Sequence, residues 1–153
     1  MRIRAFSIEI TVISVIAFVL HFIWERAQCP LFFIHRGSPS TELAMLIATL
    51  GDVVLTWVGY ITVAALSRNV SWYKSDWNAL QKFALTGVAI LLGLVIEWSA
   101  LQSGRWEYTD KNPLIPGTII SVLPILQLVF LFPATFGLAS FLIMAMAPKI
   151  NAR

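Results

Sequence analysis

Apolar residues run along this chain in four long blocks separated by short polar stretches, and the blocks are too long for buried strands or ordinary core helices. The first follows Met1-Arg2-Ile3-Arg4 and extends through Trp24, with a polar edge to Gln28. It has the charged start and apolar body of a secretory signal but no small-x-small cleavage site, so it reads as an uncleaved first span. A second block covers Leu43 to Ser67, with Ser38-Pro39 suited to an N-cap and first helical position, and a third covers Leu80 to Gln102. The fourth, Gly117 to Ala147, carries no charge and as one helix would measure about 46 Å against a hydrocarbon core of about 30 Å. It is too long for one straight crossing. Pro124 and Pro133 are expected to kink it, with the part before Pro124 lying at the interface or dipping in as a broken segment. The pattern predicts an all-α polytopic membrane protein, a four-transmembrane-helix bundle with a proline-kinked fourth span, formed by residues 1–153 as a single integral membrane domain.

Composition agrees: 58% of residues are hydrophobic and 12% charged, with a mean hydropathy of +0.79, which excludes a soluble enzyme, a disordered chain and a collagen-like one. The lone cysteine, Cys29, excludes an intrachain disulfide and beside Pro30 reads as an inert loop or interface thiol. The net charge of +3 comes with no basic cluster dense enough for nucleic acid. Four crossings put Arg2, Arg4, Arg68, Lys74, Lys82, Lys149 and Arg153 on the side of the termini and Arg26, Arg36, Arg105 and Lys111 on the other. The positive-inside bias then predicts a multi-pass protein of the cell inner (plasma) membrane with both termini cytoplasmic. Trp72, Tyr73 and Trp77 on one side, and Trp24, Trp98, Trp106 and Tyr108 on the other, fit interfacial aromatic belts.

Chemistry is sought in the acids, because a carboxylate inside hydrocarbon costs about 2.5–3.5 kcal/mol even on the gentlest scale. Glu25, Asp52 and Glu97 fall in the outer parts of three spans, where they can meet. His21, Glu25 and Gln28 share one face of the first helix, and Thr49, Asp52, Thr56 and Tyr60 share one face of the second. Such stripes are expected to face inward, and for Thr49, Thr56 and Tyr60 interhelical packing bonds suffice as an explanation. A zinc or iron site built on His21 and the acids is a thin reading, because His35 is the only other histidine and no metal-ligand motif occurs. No metal and no cofactor are expected. Acid-base chemistry is more economical, since carboxyl groups in a low-dielectric site can hold protons at neutral pH and donate them. The run Glu97 to Tyr108, followed by Pro113, Pro116 and Pro124, predicts a lid over this half of the bundle, with Arg105 folding back toward Glu97 or Glu25.

The segment Gly104-Arg105-Trp106-Glu107-Tyr108 leading to Leu123-Pro124-Ile125-Leu126-Gln127 resembles the integral-membrane lycopene cyclase domain, in which a W-x-Y loop precedes a helix carrying a proline and a pair of acids. Gln127 stands where that family has an acid. His21 and Glu25, four apart on a membrane helix, are similar in spacing to the acid site of the emopamil-binding sterol isomerase family. Both resemblances imply protonation of an isoprenoid double bond by a membrane-embedded carboxylic acid, with tryptophans near the developing cation. The expected function is isomerisation or cyclisation of a prenyl or other lipid substrate, with Glu25, Asp52, Glu97 and His21 as the acid-base set. Trp24, Gln28, Trp98, Gln102, Arg105, Trp106, Tyr108 and Gln127 would line the substrate. The alternatives are a proton- or cation-coupled small transporter or binding protein, and an accessory subunit pairing its polar stripes with a membrane-protein partner or a second copy.

Overall fold

The computed structural model describes residues 2–34 and 41–151, with side chains at 7–34 and 42–146; His35, Arg36 and the Ser38-Pro39 pair lie outside the described residues. The elements are α1 (Arg2–Phe32), β1 (Phe33–Ile34), α2 (Thr41–Ser67), a single 3-10 turn (Trp72–Lys74), α3 (Ala79–Ser103), β2 (Glu107–Tyr108) and α4 (Leu123–Asn151). All four α-helices are long and apolar enough to cross a membrane. Each packs against its neighbour in the chain, and α1 closes the ring against α4.

Outward faces are apolar, as at Ile23, Val54, Ile61 and Phe83, whereas polar side chains such as His21, Thr49, Thr56, Glu97 and Gln127 are buried between helices. That inversion of the soluble pattern suits a hydrocarbon surround, which solvates Ile and Phe and leaves polar groups only each other as partners. Close helix approach is built on small residues. A Cβ on Gly93 of α3 would lie 3.0 Å from the Ile125 backbone of α4, and one on Gly59 of α2 would lie 2.9 Å from the Phe132 ring.

The ends depart from the sequence reading in three instructive places. Helix α1 continues past Gln28 and through Pro30 to Phe32, so Cys29 is a buried helical residue rather than a loop thiol. Its last carbonyls are satisfied from far along the chain: Thr109 Oγ1 donates to Leu31 O (2.8 Å) and Asn112 Nδ2 to Phe32 O (3.0 Å). Helix α4 begins at Leu123, where Ser121 Oγ accepts from Leu123 N, and Pro124 falls in the first turn, the position a helix tolerates without a kink. Pro133 lies inside the continuous helix. Residues 117–122 form a tight turn instead of extending the span, with Gly117 at φ 77° and Leu114 bridged to Ser121.

The third departure concerns the belts. Trp72 and Tyr73 are fully buried, Trp72 edge-on to Phe136 and Tyr73 edge-on to Tyr60 and tilted against Phe136, so they belong to the core and not to an interfacial ring. The α2–α3 connection is folded inward onto the bundle and held there by Glu9 of α1, which accepts from Tyr73 Oη (2.7 Å) and Lys74 Nζ (2.5 Å). Burial and that bond to Glu9 push the Tyr73 phenol well above its ordinary value, so the ring stays a neutral donor. Helix α3 then starts on a capping box, in which Asn78 and Gln81 exchange side-chain-to-backbone bonds of 3.0 Å each.

Candidate functional site

Helices α1 and α3 run in the same direction, and each carries a glutamate near its C-terminal end, Glu25 and Glu97. Asp52 lies in the first half of α2 and Gln127 in the first turns of α4, so the antiparallel bundle collects all four at the end bearing the α1–α2 and α3–α4 connections.

Gln127 is the hub. Its amide nitrogen lies 2.7 Å from Asp52 Oδ2, 3.0 Å from Glu25 Oε1 and 3.0 Å from His21 Nδ1, and its carbonyl accepts from Gln28 Nε2 at 3.0 Å. Gln28 also donates to Glu25 Oε1 (3.0 Å), and its own carbonyl accepts from the Trp24 indole (2.8 Å). Cys29 Sγ donates to Glu25 Oε2 (2.8 Å). His21, wholly buried, sits 3.3 Å from Asp52 Oδ2 through Nδ1 and 3.3 Å from the Thr56 hydroxyl through Nε2. The Thr56 hydroxyl donates its one hydrogen to the Asp52 backbone carbonyl (2.8 Å) and therefore accepts from His21 Nε2–H. A primary amide has two hydrogens, whereas three acceptors face the Gln127 nitrogen.

Glu97 stands across from this cluster, fully buried. Its Oε2 accepts from Tyr108 Oη at 2.6 Å and from the Trp106 indole at 3.4 Å, while among the described residues Oε1 has no partner. Tyr108 is fixed in turn by Ser121 N, which donates to its oxygen (3.1 Å), and by pairing of β2 with β1, Phe33 opposite Tyr108. Burial first, then the bond to Glu97, push the Tyr108 phenol well above its ordinary value and keep it a donor. The connection from Gly104 to Val122 is thus a docked cap over this end. Arg105 lies over the Trp106 ring at 5.0 Å, with its charge within electrostatic reach of Glu97.

Between the two groups lies a cavity of about 640 Å³, within the range of small-molecule sites. Glu25, Gln28, Asp52, Gln127, Glu97, Trp106 and Arg105 line it, and the remaining wall is largely apolar, from Ala44 to Leu55 on α2 and Ile96 on α3. Ile47, Gly51 and Val54 line the cavity and are also exposed on the bundle's flank, so it opens sideways between α2 and α3. In a bundle that spans a membrane, a side opening among apolar residues would face hydrocarbon.

Of the expected residues, Trp24 and Tyr108 stand behind the wall, positioning Gln28 and Glu97. Trp98 and Gln102 lie on the outer face of α3, away from the cavity. Tyr60 is in the opposite half, donating to Val70 O, and Thr49 bonds back to Met45 of its own helix. Cys29, expected to be an inert loop or interface thiol, belongs to the cavity, as do Phe33 and the small α2 residues Ala44, Ala48 and Gly51, which the sequence reading did not name; the alanine and glycine spacing on one face of α2 was the available signal. Among the described residues no group of three His, Cys, Asp or Glu side chains is placed to hold a metal ion. Fold and site together define a four-helix, candidate membrane-spanning protein with an acidic cavity opening on its flank. Comparison of the chain with protein-family models, curated proteins and solved structures finds no match.

Proposed function

We propose that this protein is an integral membrane enzyme that isomerises or cyclises a prenyl or related lipid by moving protons on and off carbon. The observation that carries the reading is the flank-opening apolar cavity with Glu25, Asp52 and Gln127 in its wall and His21 buried against Asp52 and Gln127. Glu25 delivers its proton to one alkene carbon. The π pair forms the new C–H bond and leaves a tertiary cation next to it, beside the Trp106 ring and the Asp52 carboxylate. Asp52 then takes a proton from the adjoining carbon, and that C–H pair becomes the shifted double bond; in a cyclisation a second alkene attacks the cation first. The proton returns from Asp52 to Glu25 across the cluster, with His21 holding it between turnovers. Atoms balance with no oxidant, reductant or cofactor. The basic residues support an inner-membrane orientation with cytoplasmic termini, which puts the cavity in the half of the bilayer away from the cytoplasm.

Because the held proton exchanges with water between turnovers, through the end of the cavity lined by the exposed Arg105, such a cycle leaves solvent hydrogen on carbon. Membranes containing the protein, incubated with polyprenes in deuterium oxide, are expected to yield lipid with carbon-bound deuterium by mass spectrometry. Glu25→Gln and Asp52→Asn should lower that uptake by about 10²-fold or more while the detergent-solubilised protein still folds. Uptake undiminished in both variants would remove the acid-base mechanism and leave the proton- or cation-coupled binding protein and the accessory subunit as the better accounts.

A further inference from the structure

Arg105 lines the cavity at its exposed end and is a cation that no acid of the chain pairs. The described side chains include every Asp and Glu, and among them the Arg105 guanidinium has no ion pair and no hydrogen bond. Arg26, at the same end of the bundle, shows the contrast, since it meets Glu42 at 2.8 Å. The open guanidinium is nevertheless held in place. Gly104, in the left-handed region at φ 63°, ends α3, and Arg105 N–H returns to Ala100 O at 3.0 Å, which fixes where the side chain leaves the helix. The guanidinium then lies over the Trp106 ring at 5.0 Å. That ring is set by its indole bond to Glu97 and by Phe33, edge-on at 6.2 Å. Arg105 is therefore a positioned cation whose N–H donors remain available at the end of an apolar cavity.

The acids of the wall do not cancel it. Glu25 and Asp52 take the Gln127 amide in the cluster across the cavity, and the wholly buried Glu97 takes Tyr108 and Trp106 through Oε2. Glu97 acts on Arg105 only from beyond ion-pair distance, and Arg105 itself is exposed, where water and counter-ions screen a third charge. A planar fork of N–H groups matches an anionic head, and a phosphate ester offers it the most acceptor oxygens. From α2 the wall presents Ala44, Ile47, Ala48, Val54 and Leu55, which suit a hydrocarbon chain. We propose that Arg105 binds the phosphate of a prenyl phosphate whose chain fills the cavity, so that the substrate is an anionic prenyl lipid. This rests on the reading of the cavity as the substrate site. With its head held at the exposed end, the chain carries its double bonds toward Glu25 and Asp52, and polyprenes without the head enter the same cavity as poorer substrates.

The test separates heads on one tail. The full chain in phosphatidylcholine nanodiscs is equilibrated with radiolabelled farnesyl phosphate, and unlabelled farnesyl phosphate, farnesol or inorganic phosphate competes, with the prenyl competitors counted per lipid. The wild-type protein is expected to prefer farnesyl phosphate over farnesol by about tenfold or more, the ratio a charge-assisted hydrogen bond supplies, while inorganic phosphate alone displaces nothing. Arg105→Gln keeps an amide donor but loses the charge and the fork, so the preference should collapse toward one with farnesol binding as before. Equal wild-type affinity for the two prenyl ligands would overturn the proposal and leave Arg105 to Glu97 alone, as would an R105Q protein that keeps the tenfold ratio. Displacement by inorganic phosphate would make this a free-anion site and overturn the role of the tail. Phosphatidic acid doped into the nanodiscs separates the remaining source of phosphate, the bilayer itself. It is expected to leave the label bound, and loss of the label would assign Arg105 to membrane headgroups instead. These are binding ratios, so they stand or fall separately from deuterium uptake, which reports the chemistry alone.

Discussion

Gln127 shows how one side chain can set the chemistry of a buried site. The lycopene cyclase resemblance leads one to expect an acid at this position, yet the position lies against Glu25 and Asp52, where another carboxyl would meet two already present. An amide serves both as donor through one nitrogen and receives Gln28 through its oxygen, so it joins acids that would otherwise repel. Replacing it with leucine keeps the volume and strips these bonds, leaving His21, Glu25 and Asp52 without the shared donor. Gln127→Leu is therefore expected to destabilise the fold by about 2 kcal/mol or more, read as a lowered unfolding midpoint in mixed detergent. An unchanged midpoint would mean that the acids do not depend on the amide, and the hub assignment would fail.

At the scale of elements, the α3–α4 contact decides whether Glu97 faces the cavity at all. Gly93, one turn before Glu97, lets α4 approach so closely that an added Cβ meets the Ile125 backbone at 3.0 Å, and backbone cannot move aside cheaply. Gly93→Val should cost about 1–3 kcal/mol by overpacking, whereas Gly87→Ala, with nothing within 4 Å of its Cβ, should be neutral or stabilising by up to about 1 kcal/mol. Equal melting of the two variants would show that the contact is not a constraint. The four helices were legible from hydropathy because bilayer thickness dictates the length of an apolar run. Their ends were not, since Pro30 is accommodated in α1 by a helix end capped from Thr109 and Asn112, remote in sequence, and the 117–122 turn is apolar yet closed by Gly117. Glu25, Asp52, Gln28 and Gln127 were findable as polar groups in apolar runs. The difference between Glu97 facing in and Trp98 and Gln102 facing out depends on which neighbour α3 meets, and periodicity alone does not carry that. Aromatic composition likewise could not separate Trp72 and Tyr73 in the core from rings at an interface.

Across the whole molecule, the ring of helices is tight at one end and parted at the other. Phe132 seated on Gly59 and packed with Leu85 closes the half nearer the termini, while the α2 face made by Ala44, Ala48 and Gly51 leaves the α2–α3 seam open in the other half. If the open seam is the route by which a lipid enters, blocking it must slow turnover without harming the fold. Gly51 offers that test, because it lines the cavity, is exposed on the flank and has no atom within 4 Å of a built Cβ. Gly51→Leu should fold as well as the wild type or better by up to about 1 kcal/mol, since leucine is the stronger helix former. It should nevertheless slow deuterium uptake into added polyprenes by roughly tenfold or more, the extra side chain standing in the mouth while Glu25, Asp52 and Glu97 keep their places. Ile61→Phe, an exposed change on the same helix outside the cavity, controls for altered lipid contact and should leave the rate as it was. A Gly51→Leu protein with the wild-type rate would place the entrance elsewhere, at the capped end beside Arg105, and the substrate would then approach from the water-facing side of the bundle.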